Sequence, residues 1–472
     1  MAINWKVYPP AGAEARLGRY SRYEALFLAQ HADVFKVKTG GKYQLLRYIT
    51  ANFAGMLSTL CADMLVGEPP DFTVADETNT GALEAVGRLV KENDLVVLAY
   101  EAALAGSFRG DMLLKARWGL RTPQSEKPEA LIEEVPVTIY FPEFSEDNVR
   151  QVVRASLAWL KADPFDPKRQ LVRVEEHEPG IIRNRLFRLS PNTQEAEEIE
   201  ITYLPEYVDL PAEVETGLTE IPLYHVPNFR YGSRFWGISD YQGLESLIEA
   251  LNNRMSMVDT VLDKHVAPRL VAPPSMLDED GKLQLDKLDV IIKEPGEDDV
   301  KYLTWDAQLT AAFSYIDRLM ELLFILSETG PSIFGLDKFG IAASGTALRL
   351  RLIRTVAKIN RKRLYFDRGL KAVLYAAQQL EQIHGGAGYE PAPVSIQWAD
   401  GLPEDLDQLT RQESLRRAAG NTSIESSIRR LDGPEAVDAE MERIAEEQEQ
   451  EAALLGTRTV PTNGGASDGG QP

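Results

Sequence analysis

The chain has 472 residues, 44% of them hydrophobic, enough for two to four domain-sized units with substantial cores and unlike the composition of a disordered chain. Its 51 lysines and arginines stand against 72 aspartates and glutamates, a net charge of −21, which argues against an outer surface that grips nucleic acid but allows one past which DNA slides. The lone cysteine, Cys61, excludes an intrachain disulfide and a cysteine-based zinc site, and its apolar helical neighbourhood reads as that of a buried, reduced thiol.

The N-terminal MAINWKVYPP has no basic stretch followed by an apolar one, and nowhere do about 18 apolar residues run together, so a soluble protein made in a cytoplasm is expected. Helices are expected over residues 21–30 and 42–66. In the second, Leu45, Ile49, Phe53, Met56, Leu60 and Met64 recur at three- and four-residue steps until Gly67, Pro69 and Pro70 stop it. Two more helices, 80–92 and 94–107, lead into a strand over 111–118. Strand-like runs follow at 135–141, 170–176, 182–189 and 198–203, with one helix expected between them at 147–160.

At Tyr231 the character changes. Ser239 with Gln242 three residues on reads as a capping box. Leu244, Leu247, Ile248, Leu251, Met255, Val258 and Leu262 then mark one face of a helix about seven turns long that ends before Pro268. Residues 269–302 hold three short β-like pieces and the acidic turn Asp278-Glu279-Asp280-Gly281. A second helix over 306–327 is apolar at Leu309, Ala312, Ile316, Leu319, Met320, Leu323 and Leu326. Gly330-Pro331 stops it. The loop PSIFGLDKFGIAASG interleaves Gly335, Gly340 and Gly345 with Phe334, Leu336, Phe339 and Ile341, the composition of a mobile loop with sticky contacts. A third long helix runs over 346–383, with Ser344 and Thr346 as candidate caps. Helical segments at 405–419, 423–431 and 435–455 precede a polar, glycine-rich tail expected to be disordered.

This order of parts resembles the portal proteins of tailed, long-tailed (siphovirus-type) bacteriophages. The resemblance rests on YGSRFWGISDYQGLESLIEALN, TGPSIFGLDKFGIAASGTAL, ANFAGMLSTLCADMLVGEPP and RRAAGNTSIESSIRRLDGPEAVDAEMERIAEEQ, four stretches in the family's order across about residues 40–450. It implies an α+β, multidomain, ring-forming chain: a wing (1–230, strand-rich over 111–203), a first stem helix (231–265), a clip (266–303) and a second stem helix (304–329). A tunnel loop (330–346), a tunnel helix returning to the wing (347–397), a helical crown (398–455) and a tail (456–472) complete it. It further implies a homo-oligomer of twelve subunits at one capsid vertex of the virion, assembled in the bacterial host cytoplasm, passing double-stranded DNA without sequence specificity during packaging and ejection. Implied partners are the terminase large subunit and head-tail adaptors at the clip, and the major capsid and scaffolding proteins, with no membrane involved. The channel constriction would fall on Phe334, Gly335, Leu336, Lys338, Phe339, Gly340 and Ile341.

Sites for chemistry are sparse. No GxxxxGK[ST] loop occurs, and His31, His177, His225, His265 and His384 are scattered without metal-ligand spacing, so no enzyme and no cofactor are expected. The acidic turn fails as a calcium loop because Met276 and Lys287 fall where carboxylates are needed. Gly385-Gly386-Ala387-Gly388 reads as a helix stop. The stretch from Lys338 to Phe366 is basic without one acid, and Arg351, Arg354, Lys358 and Arg361 or Lys362 fall on one helical face, with Leu352, Ile353, Val356 and Ile359 largely on others. That face is a belt toward DNA or, preferred in so acidic a chain, pairs with acids of the adjacent subunit. The alternatives are a head-completion or tail adaptor, or a nucleic-acid-processing enzyme.

Overall fold

The computed structural model describes residues 3–38, 47–76, 78–190, 195–265, 269–271, 301–303, 309–334, 345–399, 406–433 and 436–456. The chain divides into two units, residues 1–341 with 349–401 and residues 342–348 with 402–472. Among the described residues no helix is long and apolar enough to cross a membrane.

The chain opens with α1 (Glu14–Phe27), the single turn α2 (His31–Val34) and α3 (Phe53–Val66). The helix expected from residue 42 starts eleven residues later, because the backbone before it bonds elsewhere. Ile49 N donates to Ser256 Oγ at 2.8 Å and Ala51 N to Asn252 Oδ1 at 3.0 Å. Asn52 then caps α3, its Oδ1 accepting from Gly55 N at 3.0 Å. After β1 (Asp71–Val74), α4 (Thr80–Glu92) begins at a second asparagine cap, Asn79 accepting from Ala82 N at 3.1 Å. α5 (Leu95–Arg109) ends at Gly110, whose φ of +94° turns the chain into β2 (Asp111–Gly119). Cys61 is buried and free within α3.

Next come β3 (Glu129–Glu134), β4 (Tyr140–Phe144), β5 (Val152–Ala162), β6 (Gln170–Glu178), β7 (Ile181–Leu189), β8 (Ala196–Ile199), β9 (Glu213–Glu215) and β10 (Leu223–Pro227). They form two antiparallel sheets, β10-β2-β3 and the six-stranded β4-β5-β6-β7-β8 with β9 on β7. Three expectations fail here, one of them the strand over 198–203, where β8 stops at Ile199 and a 3-10 turn (Ile201–Tyr203) follows. The helix at 147–160 is strand β5, and the strand at 135–141 is a 3-10 turn (Val137–Ile139) leading into β4. β5 lies between β4 and β6 with both faces covered: Ala155 and Leu157 pack with Tyr20, Leu113 and Tyr140, while Ala158 packs with Trp5, Phe141 and Val172. Burial on both faces removes the polar alternation that marks a strand. Truncating Leu157, which is fully buried, to alanine is expected to destabilise the chain by about 3 kcal/mol in urea unfolding, the cost of lost burial plus an unfilled cavity.

A salt bridge joins the two sheets, Lys115 Nζ donating to Glu175 Oε2 at 2.7 Å. Burial works against the Glu175 charge, but His177, Lys115 and Arg173 together hold its carboxyl well below the usual range.

The remaining elements of the first unit are α6 (Glu245–His265), the antiparallel pair β11 (Arg269–Val271) and β12 (Lys301–Leu303), α7 (Leu309–Leu326), the 41-residue α8 (Gly345–Gly385) and β13 (Val394–Gln397), which pairs with β1. The second unit carries α9 (Leu406–Ala418), α10 (Ile424–Leu431) and α11 (Val437–Gly456). Within it, Arg430 Nη1 donates to Glu413 Oε1 at 2.7 Å, which ties α10 to α9. Ser423 caps α10 by accepting from Ser426 N at 3.1 Å. The all-antiparallel sheets with separate helices make the chain α+β.

Candidate functional site

Five helices converge on one place. Leu244, Ile248 and Leu251 ahead of and along α6 share a core with Ile316, Leu319 and Leu323 of α7, and the same core includes Tyr23, Leu26, Leu57 and Phe108 from α1, α3 and α5. The expected stripes are therefore the buried ones at these positions, whereas Leu262 and Leu326 at their ends are exposed. The expected capping box does not start α6. Ser239 Oγ accepts from Tyr241 N at 3.0 Å inside a turn, and α6 begins at Glu245, whose carboxylate accepts from Gly243 N at 2.7 Å and from the Tyr23 hydroxyl at 2.8 Å.

Asp240, within that turn and bonded through its backbone N to Ser107 O of α5, is the centre of a buried charge cluster. Its Oδ1 lies 3.0 Å from Lys358 Nζ, and its Oδ2 accepts from Lys362 Nζ and, at 2.6 Å, from Ser107 Oγ. Burial opposes the Asp240 charge, yet the two lysines hold its carboxyl well below the ordinary range, and Asp240 in turn holds the buried Lys358 ammonium above its own. Ser107 Oγ, whose proton goes to Asp240, also lies 3.0 Å from Ser58 Oγ, which meets the Tyr241 hydroxyl at 2.7 Å, so the network spans α3, α5, the 239–244 turn and α8.

The cluster continues into the end of α7. Lys358 Nζ donates to Ser327 O at 2.9 Å, Thr355 Oγ1 accepts from Gly330 N at 2.9 Å, and Arg361 Nη2 donates to both oxygens of Glu328 at 2.8 and 2.9 Å. Glu328 sits at φ +58°, a left-handed position that costs a residue with a Cβ about 1–2 kcal/mol. The Arg361 fork holds it there. These bonds fix where the chain leaves α7 relative to α8, at the root of the segment over 330–344.

Of the residues expected in that segment's constriction, Phe334 closes a 3-10 turn (Pro331–Phe334), half-buried, with its ring stacked on Phe324 of α7 at 5.4 Å. Gly335, Leu336, Lys338, Phe339, Gly340 and Ile341 lie outside the described residues, as do the acidic turn at 278–281 and Ser344. The basic face of α8 needs correction. Lys358 and Lys362 are buried and bonded within their own chain, on the same side of the helix as Leu352, Thr355 and Ile359, while Ile353 is exposed. Lys358 therefore faces neither DNA nor an adjacent subunit. Arg361 also pairs inside the chain, whereas Arg354 is 78% exposed and 3.8 Å from Glu328. Arg351 is half-buried.

Asp240, Ser327, Glu328 and Thr355 carry no motif in the sequence. The one available signal is the pair Lys358 and Lys362, set at helical spacing among Leu352, Thr355, Ile359 and Phe366, since lysines in a buried stripe require a buried acid. The histidines with described side chains each meet a polar partner within the chain. His31 bonds Leu26 O at 2.9 Å and Asn252 at 2.6 Å, His225 bonds Asp111 at 2.7 Å, and His384 bonds Thr216 O at 3.0 Å. His177 is buried beside Glu175 at 3.3 Å. Among the described residues no group of three or more His, Cys, Asp or Glu side chains could hold a metal ion.

Compared with known families, residues 191–453 match the family model described as phage portal protein, SPP1 Gp6-like. The match takes in β8 and the elements after it, including the charge cluster's turn, α8 and the helices of the second unit. No curated protein matches the chain.

Proposed function

The chain belongs to the SPP1 Gp6-like phage portal protein family, a structural family of the virion, and on that premise we propose that twelve copies close head-to-tail into a ring at one capsid vertex, the channel through which double-stranded DNA enters and leaves the head. In this reading residues 1–230 are the wing, α6 and α7 the stem, 266–303 the clip, 330–346 the tunnel loop, 347–397 the tunnel helix and its return to the wing, and 398–455 the crown. The clip takes the terminase large subunit during packaging and the head-tail adaptors afterwards. The major capsid and scaffolding proteins meet the outer surface, and assembly takes place in the host cytoplasm.

The observation that carries this reading is the order helix, antiparallel pair, helix, anchored segment, long helix. The β11 and β12 pairing brings the end of α6 and the start of α7 to one place. At the other end of α7, the Lys358, Thr355 and Arg361 bonds hold the root of the tunnel loop. A loop that meets moving DNA needs such a fixed root. The charge of −21 per copy supports passage without grip, because phosphates meet repulsion and few anchoring cations along the way.

Electron microscopy of the purified chain tests the reading. Rings with an axial hole are expected, and a monomer or compact dimer at micromolar concentration would refute it. Within the ring, alanine at Gly335 and Gly340 together is expected to leave assembly intact and to lower packaged DNA per head at least tenfold. Heads filled normally by that variant would remove the loop from the mechanism.

A further inference from the structure

Away from the charge cluster, α8 borders an open pocket of about 710 Å³ whose walls also include Tyr140, Pro179, the segments around 148–152 and 219–221, β10 and the segment after β10. Three arginines from three separate parts of the chain, Arg150, Arg230 and Arg368, line it, and Glu220 is the one carboxylate among the lining residues. Elsewhere the described arginines are repeatedly met by acids, as at Arg154, Arg183, Arg185 and Arg361. Among the described residues none of the pocket's three arginines is ion-paired to a carboxylate. Arg150 donates to Gly232 O, and Arg230 lies over the Tyr365 ring at 5.7 Å, which fixes their directions and leaves guanidinium donors unused.

Burial lowers the pKa of Arg230 from its usual value, and the neighbouring cations Arg150 and Arg368 push it the same way. Asp111 pulls the other way from a distance, so a chain with a large excess of acids keeps three cations together here without an ion pair to any of them among the described residues. The pocket floor is rigid, with His225 held by Asp111 at 2.7 Å and stacked on Phe235 at 4.3 Å.

We propose that the pocket formed by Arg150, Arg230 and Arg368 binds a phosphate group. Guanidinium forks present paired donors that match phosphate oxygens two at a time. Free phosphate, with up to two charges and several acceptor oxygens, can engage all three forks, and a singly charged diester still offers two oxygens set for one fork, as a carboxylate does, with its bridging oxygens and the next phosphate along the strand beside it. The group comes either from free phosphate in solution or from the diester backbone of DNA, and the recognition chemistry is shared. The site stands on the pocket itself, independently of ring formation.

The test uses the full chain in its purified oligomeric form, with calorimetric titration of inorganic phosphate and, separately, anisotropy of a short labelled DNA duplex. Arg150 and Arg368 are both exposed, so R150Q/R368Q should fold. R169Q/R318Q, also at exposed arginines outside the pocket, removes the same charge. Phosphate binding weakened tenfold or more by the pocket pair and unchanged by the control pair is expected. Duplex binding with the same dependence would assign the diester as the source, and its absence would assign the free anion. Three results overturn the proposal: no saturable phosphate binding by the unaltered chain, equal binding by R150Q/R368Q, or acetate competing as well as phosphate.

Discussion

Replacing Asp240 by alanine is expected to destabilise the fold by about 3–5 kcal/mol, because it leaves two lysines buried without their shared counter-ion. Lys358 and Lys362 have little access to water, since both side chains are under a tenth exposed. Urea unfolding of the full chain measures the loss. A triple variant, Asp240→Leu with Lys358→Met and Lys362→Met, is expected to recover most of it, because an apolar replacement of a whole buried ion cluster is often neutral or stabilising. Equal loss in the single and triple variants would mean that packing, not charge, governs the site.

The pH dependence carries the same signature. Asp240 has a depressed pKa in the fold, so its contribution is present above the unfolded value of about 3.9 and is lost as pH falls through the folded one. Lys358 is raised, so its contribution is complete below about 10.4 and is lost as pH rises through its folded value. Between those limits the cluster contributes no slope. In the Asp240→Ala chain the buried Lys358 ammonium lacks that partner and desolvation works to depress its pKa, so stability should climb between pH 6 and 9 relative to the unaltered chain. A flat difference across that window would count against the assignment.

Much of the path to this cluster was legible in the sequence. α4 falls at its expected bounds, and the α6, β pair, α7, α8 order follows from apolar periodicity and the Gly330-Pro331 stop. What was hidden has three physical causes. β5 is covered on both faces, so VVRASLAWL carries a helix-like apolar content with no alternation. β1 and β13 are four-residue strands paired across the length of the chain, Phe72 with Ile396, and neither is long enough to show a period. The basic run of α8 looked outward because its acids, Asp240 and Glu328, arrive from other elements through contacts that no local spacing encodes. The resemblance supplied the family, and the structure supplied the reason that Lys358 and Arg361 are basic.

A second large effect is expected at Gly110. Its φ of +94° is unfavourable for any residue with a Cβ, and a Cβ there would fall 2.7 Å from Ser239 N and 2.9 Å from Ile238 C, both backbone atoms. Left-handed strain of about 1–2 kcal/mol and overpacking of about 1–3 kcal/mol together put Gly110→Ala near 3 kcal/mol or more. The neighbouring chain cannot simply retreat. Gly237 N donates to Asp111 Oδ1 at 2.6 Å, Asn228 N to Gly110 O at 2.9 Å and Asp240 N to Ser107 O at 2.9 Å, so displacing residues 237–240 also displaces Asp240 from its lysines. The two sites should therefore be coupled: Gly110→Ala combined with Asp240→Ala is expected to cost less than the sum of the single changes, by about 1 kcal/mol or more in a double-mutant cycle. Gly87, exposed on α4 with nothing within 4 Å of a Cβ, is the matched control, where alanine should be neutral or stabilising by up to about 1 kcal/mol. Strict additivity between positions 110 and 240 would show that the Gly110 turn and the charge cluster respond independently, and that the close approach of residues 237–240 to the end of α5 does not position Asp240.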